Sequence, residues 1–383
     1  MQLDSPLKSH SQDKTNTSSL WLSAKPMLLP TPALDFADEQ TARHGLREYF
    51  LNTFDTYEQL FECLKHEDAF FIKPITLRHP LIFYFAHTAT FFVNKLLLSK
   101  LISERLNPHF ESIFAIGVDE MSWDDLDEVH YDWPTVQEVR DYRHQVRALI
   151  LNILEHAPLT LPLNWQNPWW TIIMGIEHER IHLETSSVLI RQHALEHVRQ
   201  HPQWRANIIT GMAPDNHLLE VPDGKVLLQK DFNHPFYGWD NEYGRHEAEV
   251  AAFAASKYLV SNQEFLAFVE ADGYQTEHYW SEEGLGWLQF SQAAHPCFWR
   301  KTELGWSLRL MLEEVPMPWD WPVEVNYHEA KAFCQWKSQQ LGKTIRLPTE
   351  DEWYRLYAVS DLDPDLQSPE QANICLLYTS DAA

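Results

Sequence analysis

Along the first half of the chain, apolar positions recur at spacings of three and four, the period of an amphipathic α-helix. Four long segments carry the pattern. The first runs from about Thr41 to Lys65. The second opens at His79-Pro80 and continues through LIFYFAHTATFFVNKLLLSKLIS. The third opens at Trp133-Pro134 and continues to His156. The fourth opens at Asn167-Pro168 and runs to about Gln200. Proline suits a first helical turn, where its missing N–H has no partner to lose. Asn167 is a suitable N-cap. Four such helices predict a four-helix bundle over residues 41–205. The polar, Pro-punctuated residues 1–40 read as a flexible lead-in. The loop from Asn107 to Asp132 is long, and long loops are often functional.

Past about residue 205 the pattern changes. Short β-like runs (KVLLQ, AAFAASKYLV) alternate with two short helical stretches, SNQEFLAFVEADG and NYHEAKAFCQWKSQQLG. That order is α+β, not a βαβ repeat. The chain therefore predicts an α domain followed by an α+β domain from 206 onward.

Composition narrows the function. Thirty basic against 55 acidic side chains give a net charge of −25, which leaves no footprint for nucleic acid or an anionic membrane surface. The apolar stretches read as too short or too interrupted to span a bilayer. Cys63, Cys297, Cys334 and Cys375 are scattered and form no C-x-x-C motif, which reads as a reduced, cytoplasmic protein. The polar N-terminus has no apolar core of a secretory signal. Sixteen Trp against 12 Gly suit aromatic-lined surfaces better than a glycine-loop nucleotide site.

The sharpest local signal is HERIHLE, His178 to Glu184. Histidines at i and i+4 share a helix face, with Cβ atoms about 6 Å apart, and could bind one metal ion. Gly175, one turn earlier, would leave room above such an ion. Glu184 lies two residues past His182, about 200° round the helix, so it cannot face the same ion. A third ligand must come from another helix. His87, in the apolar FYFAHTATFF, is the best candidate, since a polar side chain there needs a partner or a metal. Spacing alone leaves open a set of ordinary packed histidines. The residues also spell H-E-x-x-H, a zinc hydrolase motif with Glu179 as base, although Thr185 and Val188 stand where its extended form wants Gly and His. A di-iron bundle needs a second E-x-x-H, and only Glu179 with His182 makes one.

Three stretches, RHPLIFYFAHTATFFVNK, FESIFAIGVDEMSWDDL and GIEHERIHLETSSVLIRQ, resemble the N-terminal region of the ovothiol synthases (5-histidylcysteine sulfoxide synthases), within the DinB-like four-helix bundles. FYGWDNEYGRHEAEV, VSNQEFLAFVEADGY, YWSEEGLGW and the run ending in RLPTEDEW resemble the formylglycine-generating-enzyme-like (sulfatase-modifying-factor) domain, with its C-type-lectin-like fold. The ergothioneine sulfoxide synthases share this plan. They often carry Gln where Ile181 stands, which favours the ovothiol branch.

The resemblance implies a non-haem Fe(II) held by His87, His178 and His182, with Glu184 supporting the ligands from behind or touching the second domain. It implies coupling of L-cysteine sulfur to C5 of L-histidine with O2, giving a sulfoxide, the first step of ovothiol biosynthesis. The pocket is expected between the two domains. Trp239, Trp280, Trp287, Trp319 and Trp321 could line it, although packing is the favoured reading for them. Arg346 and Glu350 in RLPTEDEW are expected to tie loops together. The chain ends in ICLLYTSDAA, which reads as a non-native tail over 374–383. On that reading the second domain, 206–373, is truncated. The tyrosine that the family uses in catalysis then lies beyond the end, as does the methyltransferase that such synthases typically carry.

Overall fold

A computed structural model describes residues 27–115, 132–206 and 208–359. Residues 1–26, most of the loop after Asn107, and the suspect tail with Cys375 lie outside them. The bundle comprises α1 (Glu39–Phe61), α2 (Leu81–Leu98), a single turn α3 (Phe110–Ile113), α4 (Val136–His156) and α5 (Trp170–Gln192).

Helix starts have local causes. Asp38 accepts the Thr41 N–H at 2.8 Å and opens α1. Thr135 and Glu138 cap each other's backbone at the start of α4. The prolines stand one step earlier than expected: Pro80 is the N-cap of α2, and Pro134 precedes the cap of α4. Asn167 does not cap α5. Its Oδ1 accepts the Trp169 N–H at 3.0 Å in a leading turn, and the helix begins at Trp170. At its far end α5 stops at Gln192, before Gln200, because the chain turns into a 3-10 turn at Leu195–His197. The flexible lead-in expected over residues 1–40 does not hold from Met27 onward. From Met27 the chain lies on the bundle, where Asn52 of α1 accepts the Leu29 N–H and donates to the Met27 carbonyl, while Leu28 and Leu34 are buried.

Helix α2 is apolar almost all round. By length and composition Leu81–Leu98 could cross a membrane, contrary to the sequence expectation, yet 72% of it is buried inside the protein, as a central core helix requires. It runs antiparallel to α5: Ser99 reaches Thr171, Phe92 meets Gly175, and His87 lies beside His182. A Cβ on Gly175 would fall 2.2 Å from the Phe92 ring. Gly175 therefore makes room for the facing helix, not for a metal.

One side chain ties the four long helices together. Arg143 of α4 is fully buried. It donates to Glu58 of α1, to the Phe85 carbonyl and Thr88 hydroxyl of α2, and to Glu179 of α5, each at 2.9 Å. Phe54 and Phe85 lie against the guanidinium, 4.2 and 5.0 Å from its carbon to their ring centres.

The second domain is built from short antiparallel ladders: β1 (Leu218–Val221) with β4 (Phe253–Ser256), β2 (Gly224–Lys230) with β3 (Gly244–Val250), and β5 (Trp299–Thr302), β6 (Gly305–Arg309) and β7 (Glu314–Pro316) in sequence. Four helices accompany them: α6 (Asn262–Glu270), α7 (Glu282–Ser291), α8 (Tyr327–Leu341) and α9 (Glu350–Val359). The KVLLQ run lies within β2, and the two expected short helices contain α6 and α8. In AAFAASKYLV only Phe253–Ser256 is strand.

Arg191 near the end of α5 pins the domains. It donates to the Arg309 carbonyl at 2.6 Å and to Glu324 at 2.7 Å, with its guanidinium 3.7 Å from the Phe298 ring centre. Met311 and Leu312 complete the bundle core from the other side.

Removing one member of a buried ion pair strands the other, at a cost of about 3–5 kcal/mol. Arg143→Ala is expected to lower unfolding free energy by that amount in denaturant titrations, and Arg143→Met with Glu179→Leu by less. A single-variant loss under about 1 kcal/mol would show that the bundle does not depend on this pair.

Candidate metal centre

His87 is presented by α2, and His178 and His182 by successive turns of α5. One ring nitrogen from each lies within 4.8 Å of the others. The Nε2 atoms of His178 and His182 are 3.2 Å apart. An ion about 2.1 Å from each would subtend about 100° between them, an ordinary angle at a tetrahedral or octahedral centre.

The rings are held from behind. His87 Nδ1 donates to the Phe114 carbonyl at 2.6 Å, which leaves Nε2 unprotonated and facing the other two rings. Phe83 stacks on His87 at 5.1 Å, and Phe91 stacks flat on His178 at 3.7 Å. Phe114 follows α3, at the described edge of the long loop. Glu111 in α3 is buried and fixes that edge by accepting the Leu106 and Asn107 N–H groups, each at 2.8 Å. A backbone carbonyl has no signature in sequence, so Phe114 was not foreseen.

Burial pushes all three imidazoles below their usual range, and their mutual repulsion deepens this for His178 and His182. His182 falls to about 3. All three are neutral at pH 7, the state a metal needs. The Nδ1 atoms of His178 and His182 are buried without a hydrogen-bond partner. Three desolvated imidazoles with no carboxylate bonded to them among the described residues are costly, and a bound cation would offset that cost. The donor set fits a divalent metal that accepts imidazole.

The neighbouring carboxylates stand apart from this centre. Glu179 points into the bundle, where it accepts from Arg143 at 2.9 Å and Thr88 at 3.0 Å. It is therefore unavailable as the base of an H-E-x-x-H hydrolase or as a di-iron ligand. Glu184 is not behind the ligands either. It is exposed on the rim of the cleft and bonds to none of the three rings, since it follows His182 round the helix.

The trio opens into a cavity of about 1190 Å³, ample for two amino-acid-sized ligands. Most of its wall comes from α2 and α5. Trp239, Asp240 and Asn241 of the second domain close one side. They sit on the connection between β2 and β3, which reaches onto the bundle. Tyr237 packs on Trp170 at 4.9 Å, and the Pro235 carbonyl accepts the Leu34 N–H. The other four tryptophans pack in the second domain's own core. Arg346 ties its loop through Glu352, at 2.6 and 2.7 Å.

Residues 49–186 match the DinB superfamily, and residues 210–360 match the sulfatase-modifying factor enzyme 1-like domain. Ergothioneine biosynthesis protein 1 of Neurospora crassa is 26% identical over 341 residues, covering 80% of this chain and 37% of that protein. Hercynine oxygenase of Mycolicibacterium smegmatis is 29% identical over 232 residues, 58% of this chain and 48% of that protein. The formylglycine-generating enzyme of Bos taurus is 30% identical over 159 residues, 37% of this chain and 39% of that protein. The chain thus spans less than half the length of each of these relatives. It joins a DinB-superfamily domain to a sulfatase-modifying factor enzyme 1-like domain, with relatives among the ergothioneine biosynthesis proteins and hercynine oxygenases.

Proposed function

We propose that the chain is the catalytic part of a non-haem Fe(II) sulfoxide synthase that joins the sulfur of L-cysteine to C5 of L-histidine. The observation that carries this reading is the three-histidine centre in a cleft walled by both domains. The reaction balances as thiol plus imidazole C–H plus O2, giving the C–S sulfoxide and water. Two electrons leave in forming the C–S bond and two in oxidising sulfur. His87, His178 and His182 would hold a ferrous ion, which would supply the dioxygen chemistry.

The protein's own residues set the conditions. The Phe114 carbonyl fixes the proton of His87 on Nδ1. Burial keeps His178 and His182 neutral. Phe91, Tyr84 and Trp239 give the cleft aromatic walls. Ile181 is 45% exposed on the cleft wall and offers no hydrogen bond to a substrate. That apolar side chain, where the ergothioneine synthases often carry Gln, supports histidine over trimethylhistidine as the imidazole substrate. The names of the relatives favour the second reading, an ergothioneine-type synthase acting on trimethylhistidine with cysteine or γ-glutamylcysteine.

Mass spectrometry of products made with Fe(II) and air separates these readings. The first expects 5-histidylcysteine sulfoxide from cysteine and histidine, and a sulfoxide formed only from trimethylhistidine would favour the second. His87→Ala is expected to lose bound iron, whereas Glu184→Ala keeps it because Glu184 touches no ligand. Full iron occupancy in His87→Ala would rule out the three-histidine centre. The metal-free chain is also expected to be acid-sensitive. Its unfolded imidazoles take protons below pH 6.5, while folded His182 resists to about 3, so stability is complete above 6.5 and falls as pH drops toward 3. Thermal midpoints at pH 7 and pH 5 should show the drop, and His182→Gln should reduce it.

A further inference from the structure

The cleft carries a cation on each side of the three imidazoles. On the His178 side is Lys95 of α2, two helical turns past His87 and about 12 Å along the axis. Helical side chains lean toward the N-terminus. Lys95 accordingly leans back over Phe91, with Nζ 5.0 Å from the ring centre, and Phe91 in turn stacks on His178. On the other side is Arg78, ahead of α2 and beside the Tyr84 hydroxyl, with the Tyr84 ring 6.0 Å from that of His182. Both cations line the cavity. Among the described residues neither is in an ion pair, although the chain carries 55 acidic side chains. The buried or half-buried cations Arg143, Arg191 and Lys230 are paired, with Glu58 and Glu179, with Glu324 and with Glu242.

Two cations with no ion partner among the described residues, beside a centre that would itself hold a cation, repel it. The arrangement makes sense when anions join them. Resting on the amino-acid coupling proposed above, we infer that Lys95 and Arg78 each hold the α-carboxylate of one substrate, on opposite sides of the metal. Each amino acid then points its side chain inward, to the imidazole trio, while its carboxylate stays at the outer cation. Glu184 and Asp240, on the same cleft, are placed to meet the ammonium groups. The two amino acids approach from opposite ends, with thiol and imidazole ring meeting over the centre. Lys95 and Arg78 are positioning residues and touch no reacting atom.

The test measures equilibrium binding of L-histidine, histamine, L-cysteine and cysteamine to the iron-loaded full chain under nitrogen, using tryptophan fluorescence. Each amino acid should bind at least about tenfold tighter than its decarboxylated analogue, the worth of one charge-assisted contact. Lys95→Met should abolish that preference for one amino acid and keep it for the other. Arg78→Met should do the reverse. Iron content should stay unchanged in both, which separates loss of an anchor from loss of the fold. Preference retained for both amino acids in either variant overturns the assignment, as does failure of the unmodified chain to bind either amino acid. If discrimination follows the variants but air yields no coupled product, the anchors stand and the coupling reaction falls. If product forms while both variants still discriminate, the reaction stands and the anchors fall.

Discussion

The bundle is organised around a buried positive charge. Arg143 carries its guanidinium to the centre of the four long helices, and its donors reach the other three. The contacts on α2 are the Phe85 carbonyl and the Thr88 hydroxyl, which flank His87. The contact on α5 is Glu179, directly beside His178. A slide of either helix by one residue would break hydrogen bonds to a fully desolvated charge. The ion pair therefore sets the relative position of the ligand-bearing helices more than it adds net stability.

This arrangement separates two electrostatic layers across one helix. Glu179 lies about 100° round α5 from His178, on the face turned to Arg143. Charge is concentrated there and compensated. Among the described residues no carboxylate bonds to the three rings, and burial keeps the rings neutral. Had Glu179 faced the histidines, it would have raised their pKa values and competed for the metal. The same residue type in the same motif serves a hydrolase in one orientation and a scaffold in the other.

Much of this was legible in sequence, for identifiable reasons. The long helices followed from apolar periodicity, and the histidine pair from i, i+4 spacing on one of them. His87 stood out as the polar group in an apolar helix. The role of Glu179 was not legible, because its partner Arg143 is 36 residues away and reads as an ordinary helical arginine. Gly175 was assigned to the metal when it serves Phe92, since no local pattern names the side chain on a facing helix. Helix ends shifted where side chains competed: Thr135 displaced Pro134 because its hydroxyl and Glu138 satisfy two backbone groups at once. In the second domain, short strands with mixed burial gave little period to read. Only β2 and two helices were foreseen with useful boundaries.

Among the described residues the second domain contributes to the cleft through one reach of chain, the connection between β2 and β3. Its anchoring shows how a loop becomes a wall. Lys230 at the end of β2 donates to the Tyr237 carbonyl and to Glu242, bracing the connection from within. A Cβ on Gly238 would lie 2.6 Å from Lys230 Nζ, so a larger residue there would press on that brace. Outside, Tyr237 lies on Trp170 at the first turn of α5, and the backbone at Pro235 is held by Leu34. Arg191 fixes the opposite end of α5 to Arg309 and Glu324. With α5 held to the second domain at both ends, Trp239 keeps its place relative to His178 and His182. The cleft is thus shaped by the docking of the second domain on both ends of α5, through residues that lie outside the cleft.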